Sequence, residues 1–144
     1  MKIFLDTNVL ISGIFFSGNE SRLLSLPNIE LITSDIAVME LKEVVSRKFV
    51  SLKVESKRIA FQEVEKALGD IRVIGWEESA AYLKEASKLV RGENDRKILA
   101  AVLYIDPDYF ITGDKHFHTT AVGKKIKVRH SKDILRDLKM KKKE

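Results

Sequence analysis

Two carboxylates stand where a short apolar run ends, a position suited to binding a cation or a substrate. Asp6 directly follows Lys2–Leu5, and Asp114 comes two residues after Tyr109–Thr112. In α/β proteins with parallel sheets, ligands bind beyond the carboxyl ends of the strands, where both carboxylates would lie. The structural alternatives are a helix cap at Asp6 and a polar turn built on Gly113 beside Asp114.

Two further acids lie on predicted helices. Glu40 is four residues from both Ile36 and Val44, so it lies along the apolar side of its helix, or at the rim of that side where it could reach solvent. Asp95 tops an apolar stripe, although the helix dipole alone would favour an acid there, and Glu93 is a rival for the same role. The polar outer face of the helix that contains Glu40 is assigned to Lys42, Glu43, Ser46 and Arg47.

Together these acids favour a divalent metal site. Converging carboxylates repel one another, and one or two hard cations relieve that repulsion. Mg²⁺ or Mn²⁺ prefers oxygen ligands and can activate water and stabilise charge on a phosphoryl oxygen. Thr112 adds a hydroxyl near Asp114, and Lys115 and His116 are candidate substrate contacts. His116 and His118 lack a third close ligand on their segment, so a zinc site is not expected.

Composition excludes several other chemistries. The 144 residues include no cysteine, which rules out disulfides, thiolate metal sites and a cysteine nucleophile. Neither a Gly-x-Ser-x-Gly nor a Walker A pattern occurs. The longest uncharged run has 13 residues, short of the ~20 that span a bilayer, and no signal peptide is recognised at the amino terminus. A soluble cytoplasmic protein is therefore expected.

The net charge of +5 is concentrated at the carboxyl end. Residues 124–144 contain 10 basic and 3 acidic residues, whereas residues 1–123 contain 16 basic and 18 acidic ones. We expect one domain over residues 1–138, followed by a basic tail over residues 139–144. Such a tail either attracts a phosphate backbone or simply remains solvated.

Strands and helices alternate along the chain. The predicted strands are Lys2–Leu5, Glu30–Thr33, Ile71–Ile74, Tyr109–Thr112 and Ile126–Arg129. The predicted helices are Asn8–Phe16, a short one near Ser21–Leu26, Asp35–Phe49 capped by Ser34, one from Ser56 to Gly69, Glu77–Arg91 ended by Gly92, one from Asn94 to about Tyr104, and one from Ser131 to about Met140. This alternation predicts a three-layer α/β fold with a mainly parallel sheet.

Four segments in this order resemble the PIN-domain family of metal-dependent ribonucleases, and within it the small VapC-type toxins of VapBC toxin–antitoxin systems. They are FLDTNVLIS (4–12), AVMELKEV (37–44), ENDRKILAAVL (93–103) and FITGDKHF (110–117), and the resemblance extends to about Asp137. It implies a three-layer α/β/α fold with five strands in the order 3-2-1-4-5. The metal-site acids it implies are Asp6, Glu40, Asp95 and Asp114, with Thr7, Asn8 and Thr112 as supporting polar groups.

The resemblance implies an Mg²⁺- or Mn²⁺-dependent endoribonuclease that uses water as its nucleophile. Asp6 and Asp114 would hold the metal, while Asp95 and Glu40 would hold metal or orient water. The implied partners are an RNA substrate, a cognate antitoxin and a second copy of the chain. His116 stands where the family often has a further acid, which puts a second metal in question, and the basic tail lies outside the family core.

Two other functions compete with this one. The segment around Asp6 is superficially similar to the opening of aspartyl-phosphate phosphatases. That chemistry needs an acid two residues after the nucleophile, where this chain has Asn8. The second competitor is a non-catalytic RNA- or protein-binding module with the same fold.

Overall fold

A parallel five-stranded sheet forms the centre of the structure, a computed structural model that describes residues 1–48 and 54–143. Its strands are β1 (Lys2–Leu5), β2 (Glu30–Ser34), β3 (Arg72–Ile74), β4 (Tyr109–Ile111) and β5 (Val128–Arg129). They are ordered β3-β2-β1-β4-β5, and every neighbouring pair is parallel. The expected strand order and the three-layer arrangement are confirmed.

Helices flank this sheet. Those of the described residues are α1 (Thr7–Phe15), α2 (Asn19–Leu24), α3 (Asp35–Lys48), α4 (Val54–Leu68), α5 (Trp76–Ser79), α6 (Leu83–Ser87), α7 (Glu93–Ile105), α8 (Thr120–Gly123) and α9 (Ser131–Lys143). Within the described ranges, no helix combines the length and the apolar character that a membrane crossing requires.

The pairing of β1 with β4 determines which side chains meet at the carboxyl edge. Leu5 is in register with Ile111, and the amide of Asp6 extends the pairing by donating to the Ile111 carbonyl at 3.1 Å. Asp6 follows Leu5 and Thr112 follows Ile111, so these two residues lie side by side. Both side chains are buried.

The single helix predicted for Glu77–Arg91 is wrong. The segment forms α5, a 3-10 turn at Ala80–Tyr82, and α6. Ser79 and Tyr82 have ψ values of 2° and −2°, which interrupt the helical path. The Ser79 hydroxyl donates to the Trp76 carbonyl at 3.2 Å, the local side-chain bond by which serine competes with a continuous helix.

Two predicted helix starts also need correction. Ser56 lies inside α4, and Asn94 lies inside α7, whose capping residue is Gly92. The Ser34 cap is confirmed, since its hydroxyl accepts from the Ala37 amide at 3.1 Å.

Two ends of predicted segments, Phe49 and Glu144, lie outside the described residues. Helix α9 runs through Lys143, past the predicted end near Met140, so the backbone of residues 139–143 is helical.

Helix α1, which begins next to Asp6, packs closely on α2 at Gly13. A Cβ atom added at Gly13 would lie 2.9 Å from Leu24 Cγ and 3.2 Å from the carbonyl oxygen of Glu20. The first distance is shorter than real Cβ contacts, so the Leu24 side chain would have to move, and the second would press on the backbone of α2. Glycine therefore allows the close approach of the two helices here.

We expect Gly13→Ala to lower the free energy of unfolding by about 1–3 kcal/mol, the usual cost of overpacking. Urea denaturation would measure the loss. Gly123→Ala is the matched control, because beyond its own turn of helix no heavy atom of the described residues lies within 4 Å of the point that its Cβ would occupy. That control should stay within about 1 kcal/mol of the wild type. Equal losses in both variants would contradict the packing explanation.

Candidate metal centre

The four predicted acids line one small cleft at the carboxyl ends of β1 and β4. Its volume is about 140 Å³. The lining residues are Asp6, Thr7, Asn8, Glu40, Glu43, Val44, Arg47, Asp95 and Asp114. They come from four places in the chain: the β1–α1 junction, α3, the first turn of α7, and the loop after β4.

Asp6 is the most deeply placed of these acids, with 4% of its surface exposed. It caps α1, and its Oδ1 accepts from the Thr7 amide at 2.8 Å. Its Oδ2 accepts from the Thr112 hydroxyl at 2.6 Å. Asp6 is therefore a helix cap and also lines the cleft. Hydrogen bonds to a charged group contribute about 1.5–3 kcal/mol each, so they hold the carboxylate in one orientation.

Thr112 connects Asp6 to Asp114. Its fully buried hydroxyl donates to Asp6 and accepts from the Asp114 amide at 3.0 Å. The Thr112 carbonyl also accepts from Nε2 of His118 at 2.7 Å. One threonine thus couples the two carboxylates that follow neighbouring strands.

Asp114 forms the predicted polar turn, and its side chain is 26% exposed. Its Oδ1 accepts from the backbone amide of His116 at 2.9 Å, and Nδ1 of the same histidine is also 2.9 Å away. The turn is anchored by Phe117, which is fully buried and packs edge-on against Phe110 with ring centres 5.1 Å apart. Phe110 in turn packs against Phe4 of β1. The aromatic core therefore fixes the loop that carries Asp114.

Glu40 reaches the cleft from α3 and is bound there through Thr7. The Thr7 hydroxyl donates to Oε1 of Glu40 at 3.0 Å. Because the Thr7 amide bonds to Asp6, this one residue links the carboxylates of Asp6 and Glu40. The bond joins α1 to α3 across the cleft.

Asp95 enters from the first turn of α7 and lies against its capping residue. A Cβ atom at Gly92 would be 3.1 Å from Oδ2 of Asp95, so glycine leaves room for this carboxylate. Glu93, the rival candidate, is 86% exposed and lies 3.8 Å from Lys97. It is not a cleft-lining residue, so the structure places Asp95 and not Glu93 in the cluster.

Three acids of the cleft, Asp6, Glu40 and Asp95, have pKa values raised above those of free carboxylates. Burial raises the pKa of Asp6 above its ordinary value of 3.8, and this outweighs the hydrogen bonds from Thr112 and Thr7 that favour the charged form. The negative charges of Asp114 and Asp95 raise it further. Burial also raises the pKa of Glu40 and of Asp95. A bound cation would offset both the desolvation of these carboxylates and their mutual repulsion.

The donor atoms suit a hard divalent cation. One ligand atom each from Asp95, Asp114 and His116 lie within 4.8 Å of one another, and the oxygens of Asp6 and Glu40 line the same cleft. Carboxylates are ligands that Mg²⁺ and Mn²⁺ prefer, and an imidazole is compatible with Mn²⁺. His116 thus lies closer to the acids than its predicted role as a substrate contact required.

The predicted positions of two residues of this cleft were wrong. Glu43 and Arg47 were assigned to the outer face of α3, yet both line the cleft. They follow Glu40 by three and seven residues, the helical spacing that keeps side chains on one stripe. That spacing was the available signal. Lys115 is exposed and does not line the cleft, whereas Asn8 does.

Comparisons with known proteins agree with this geometry. A family model described as "PIN domain" matches residues 3–123. Among solved structures, VapBC2 from Rickettsia felis bound to a promoter DNA fragment aligns with a TM-score of 0.70 and 18% identity, covering 90% of this chain and 98% of that one. VapBC-1 from nontypeable Haemophilus influenzae aligns with a TM-score of 0.67 and 23% identity, covering 92% and 99%. These likenesses show the fold. No curated protein matches the chain.

In metal-free buffer, the raised pKa of Asp6 should make the native state lose stability as the pH rises. The native state holds this proton more tightly than the unfolded chain does. Protonation of Asp6 therefore stabilises the native state fully below pH 3.8, and this stabilisation is lost as the pH rises through the raised pKa. We expect Asp6→Asn to be the more stable protein at neutral pH.

The difference in unfolding free energy between wild type and Asp6→Asn should narrow as the pH falls. The change should be about 1.4 kcal/mol for each unit by which the pKa of Asp6 in the native state exceeds that in the unfolded chain. Urea denaturation of both proteins in EDTA, from neutral to acidic pH, measures the gap. A gap that widens on acidification would mean that the hydrogen bonds from Thr112 and Thr7 outweigh burial.

Proposed function

Because this chain belongs to the PIN domain family, we propose that it is a divalent-metal-dependent endoribonuclease that hydrolyses phosphodiester bonds of RNA. The observation that supports this most directly is the meeting of four carboxylates around one cleft. Three of them have pKa values raised by burial, which is the electrostatic state that a bound cation relieves. A bound cation can offset the charge of the phosphodiester and activate the attacking water.

The proposed ligands are Asp6, Asp95 and Asp114, with Glu40 beside them. When bound, Mg²⁺ or Mn²⁺ supplies Lewis acidity toward water and toward a phosphoryl oxygen. Metal ligands must be deprotonated, so the cation would replace the protons that the raised pKa values favour. His116 contacts Asp114 and would steady that carboxylate or join the ligands.

The remaining polar groups of the cleft would position the reacting groups. Thr112 holds both Asp6 and Asp114, and Thr7 holds Glu40 by its Oε1. This leaves Oε2 of Glu40 to orient the attacking water and to accept its proton. A carboxylate with a raised pKa is a better base for that role than an ordinary one.

We propose in addition that the chain is the toxin of a toxin–antitoxin pair. The structures it resembles include VapBC complexes from Rickettsia felis and from Salmonella typhimurium, and the alignments cover 98% of each of those chains. A neighbouring gene for a small DNA-binding protein would support an antitoxin. The homodimer implied by the family resemblance stays a prediction.

Asp6→Asn and Asp95→Asn should each reduce RNA cleavage more than about 100-fold, since losing even an outer partner of a metal ligand costs 10–100-fold. The melting temperatures should be equal to or above the wild-type value, because each change removes one charge from a crowded cluster. Gel analysis of a mixed RNA pool incubated with Mg²⁺ or Mn²⁺ measures cleavage.

Glu93→Gln is the matched control. It removes a carboxylate only two residues from Asp95, but one that is exposed and outside the cleft. Its cleavage rate should equal that of the wild type. Wild-type cleavage by Asp6→Asn would remove Asp6 from the proposed ligands, and RNA binding with no cleavage by the wild type would favour the non-catalytic binding module.

Mg²⁺ or Mn²⁺ should raise the melting temperature of the wild type, because the native acid cluster binds the cation and the unfolded chain does not. The gain is about 2.7 kcal/mol at a cation concentration of 100 Kd. Differential scanning fluorimetry with and without EDTA measures it. A variant with Asp6, Asp95 and Asp114 all changed to Asn should show no shift; an equal shift would place the metal elsewhere.

A further inference from the structure

Arg47 stands out as a cation on the wall of an otherwise acidic cleft. It lies in the last turn of α3, is exposed, and is the cationic member of the lining set. Within residues 1–48 and 54–143, no hydrogen bond or ion pair engages its guanidinium. Among the described residues it is not paired even with Glu43, which lies one turn earlier and lines the same cleft.

Arg47 also lines a second cavity that continues from the cleft. This groove has a volume of about 350 Å³, and its walls are Asn8, Ile11, Val44, Arg47 and Lys48. Ile11 and Val44 give it an apolar side, while the two basic residues give it a positive end. A groove with one apolar wall and a guanidinium fits a nucleotide, whose base is apolar on its faces and whose phosphate is an anion.

A third cavity also borders Asn8. It has a volume of about 470 Å³ and is lined by Asn8, Val9, Ser12, Asn19, Glu20, Gly113, His130, Ser131 and Lys132. Lys132 is exposed, lies in the first turn of α9, and makes no ion pair among the described residues. Asn8 borders all three cavities, so the cleft adjoins a groove lined by Arg47 and a groove lined by Lys132.

We propose that single-stranded RNA crosses the acid cleft over Asn8, with Arg47 and Lys132 binding phosphates on opposite sides of the scissile one. This assignment rests on the proposed ribonuclease function and adds the residues that position its substrate. Arg47 is the stronger contact, because its planar guanidinium can donate two parallel hydrogen bonds to one phosphate. The two cations supply the local attraction that the acid cluster itself cannot.

Arg47→Gln tests the proposal, because it keeps a long polar side chain and removes the charge. Binding of a fluorescently labelled single-stranded RNA is measured by anisotropy in EDTA, where cleavage stops, over a series of salt concentrations. We expect Kd to rise at least about threefold at low salt, and the slope of log K against log salt to fall in magnitude by about 0.7. Arg47→Lys should restore the slope.

The second side of the cleft is tested by Lys132→Ala alone and in combination with Arg47→Gln. The losses of slope should add in the double variant, because the two residues lie in different grooves. Lys2→Ala is the control for net charge, since Lys2 is exposed and lies at the amino end of β1, away from the cleft. It should leave both affinity and slope unchanged.

Kinetics with Mg²⁺ provide a readout that a structural role would not give. Arg47→Gln should raise KM while kcat at saturating RNA stays within about twofold of the wild type, the pattern of lost uniform binding. Melting temperatures confirm that each variant is folded.

Three outcomes distinguish failure of the assigned RNA contacts from failure of the proposed ribonuclease function. If the wild type binds and cleaves RNA but Arg47→Gln and Lys132→Ala retain its affinity and salt slope, the assignment of these residues is wrong and the ribonuclease stands. If Lys2→Ala weakens binding as much, the attraction is non-specific and the assignment also fails. If the wild type neither binds nor cleaves single-stranded RNA, the proposed function itself fails.

Discussion

The register between β1 and β4 is the constraint on which the site depends. Because Leu5 pairs with Ile111, Asp6 and Thr112 meet at the same edge of the sheet, 2.6 Å apart through Oδ2 and Oγ1. A slip of one residue would turn the side chains of one strand to the other face and separate them. The same hydroxyl then accepts from the amide of Asp114, so the pairing of two strands sets the position of two acids. The helices only have to bring Glu40 and Asp95 to a point already defined.

Holding these acids together costs stability, and the surrounding core offsets the cost. Phe4, Phe110 and Phe117 are fully buried, and aromatic contacts tie the two central strands to the loop after β4. This rigid base explains how a carboxylate with a raised pKa, Asp6, can persist at 4% exposure. Natural proteins often keep strained functional groups at some expense of stability. The same holds for this cleft. Two hydrogen bonds fix the orientation of the Asp6 carboxylate, but they do not offset the free-energy cost of burying it.

The sequence predicted the sheet and the convergence of the acids because both follow from simple rules. Strands alternating with helices give a parallel sheet, and parallel strands end at one edge, which brings Asp6 near Asp114. Glu40 was found by its helical spacing from Ile36 and Val44. The hydrogen bonds of Thr112 and Thr7 could not be deduced, because they depend on side-chain orientations that only the packed structure sets.

The errors have equally physical origins. The helix predicted for Glu77–Arg91 contains no glycine or proline, so nothing in its composition showed the interruptions at Ser79 and Tyr82. Asn94 is a good capping residue by type, yet Gly92 takes that place and leaves room for Asp95. Arg47 was assigned to solvent because a polar residue on a helix is usually solvated. A cleft open to water is polar too, so polarity alone cannot distinguish the outer face of α3 from the wall of the site.

Helix α3 therefore presents opposite charges to the same cleft in a fixed order. Glu40 and Arg47 are seven residues apart, which is about 10 Å along the axis of a helix. Among the described residues no ion pair joins them, so neither charge neutralises the other. A carboxylate near the centre of the cleft can then serve a cation, while a guanidinium at its margin stays available to an anion. Because residues 1–123 carry slightly more acidic than basic groups, attraction for a polyanion has to arise from such local placement and from the basic end of the chain. The distribution of charge along one helix thus fits both requirements of the proposed reaction, a ligand for the metal and a contact for the phosphate.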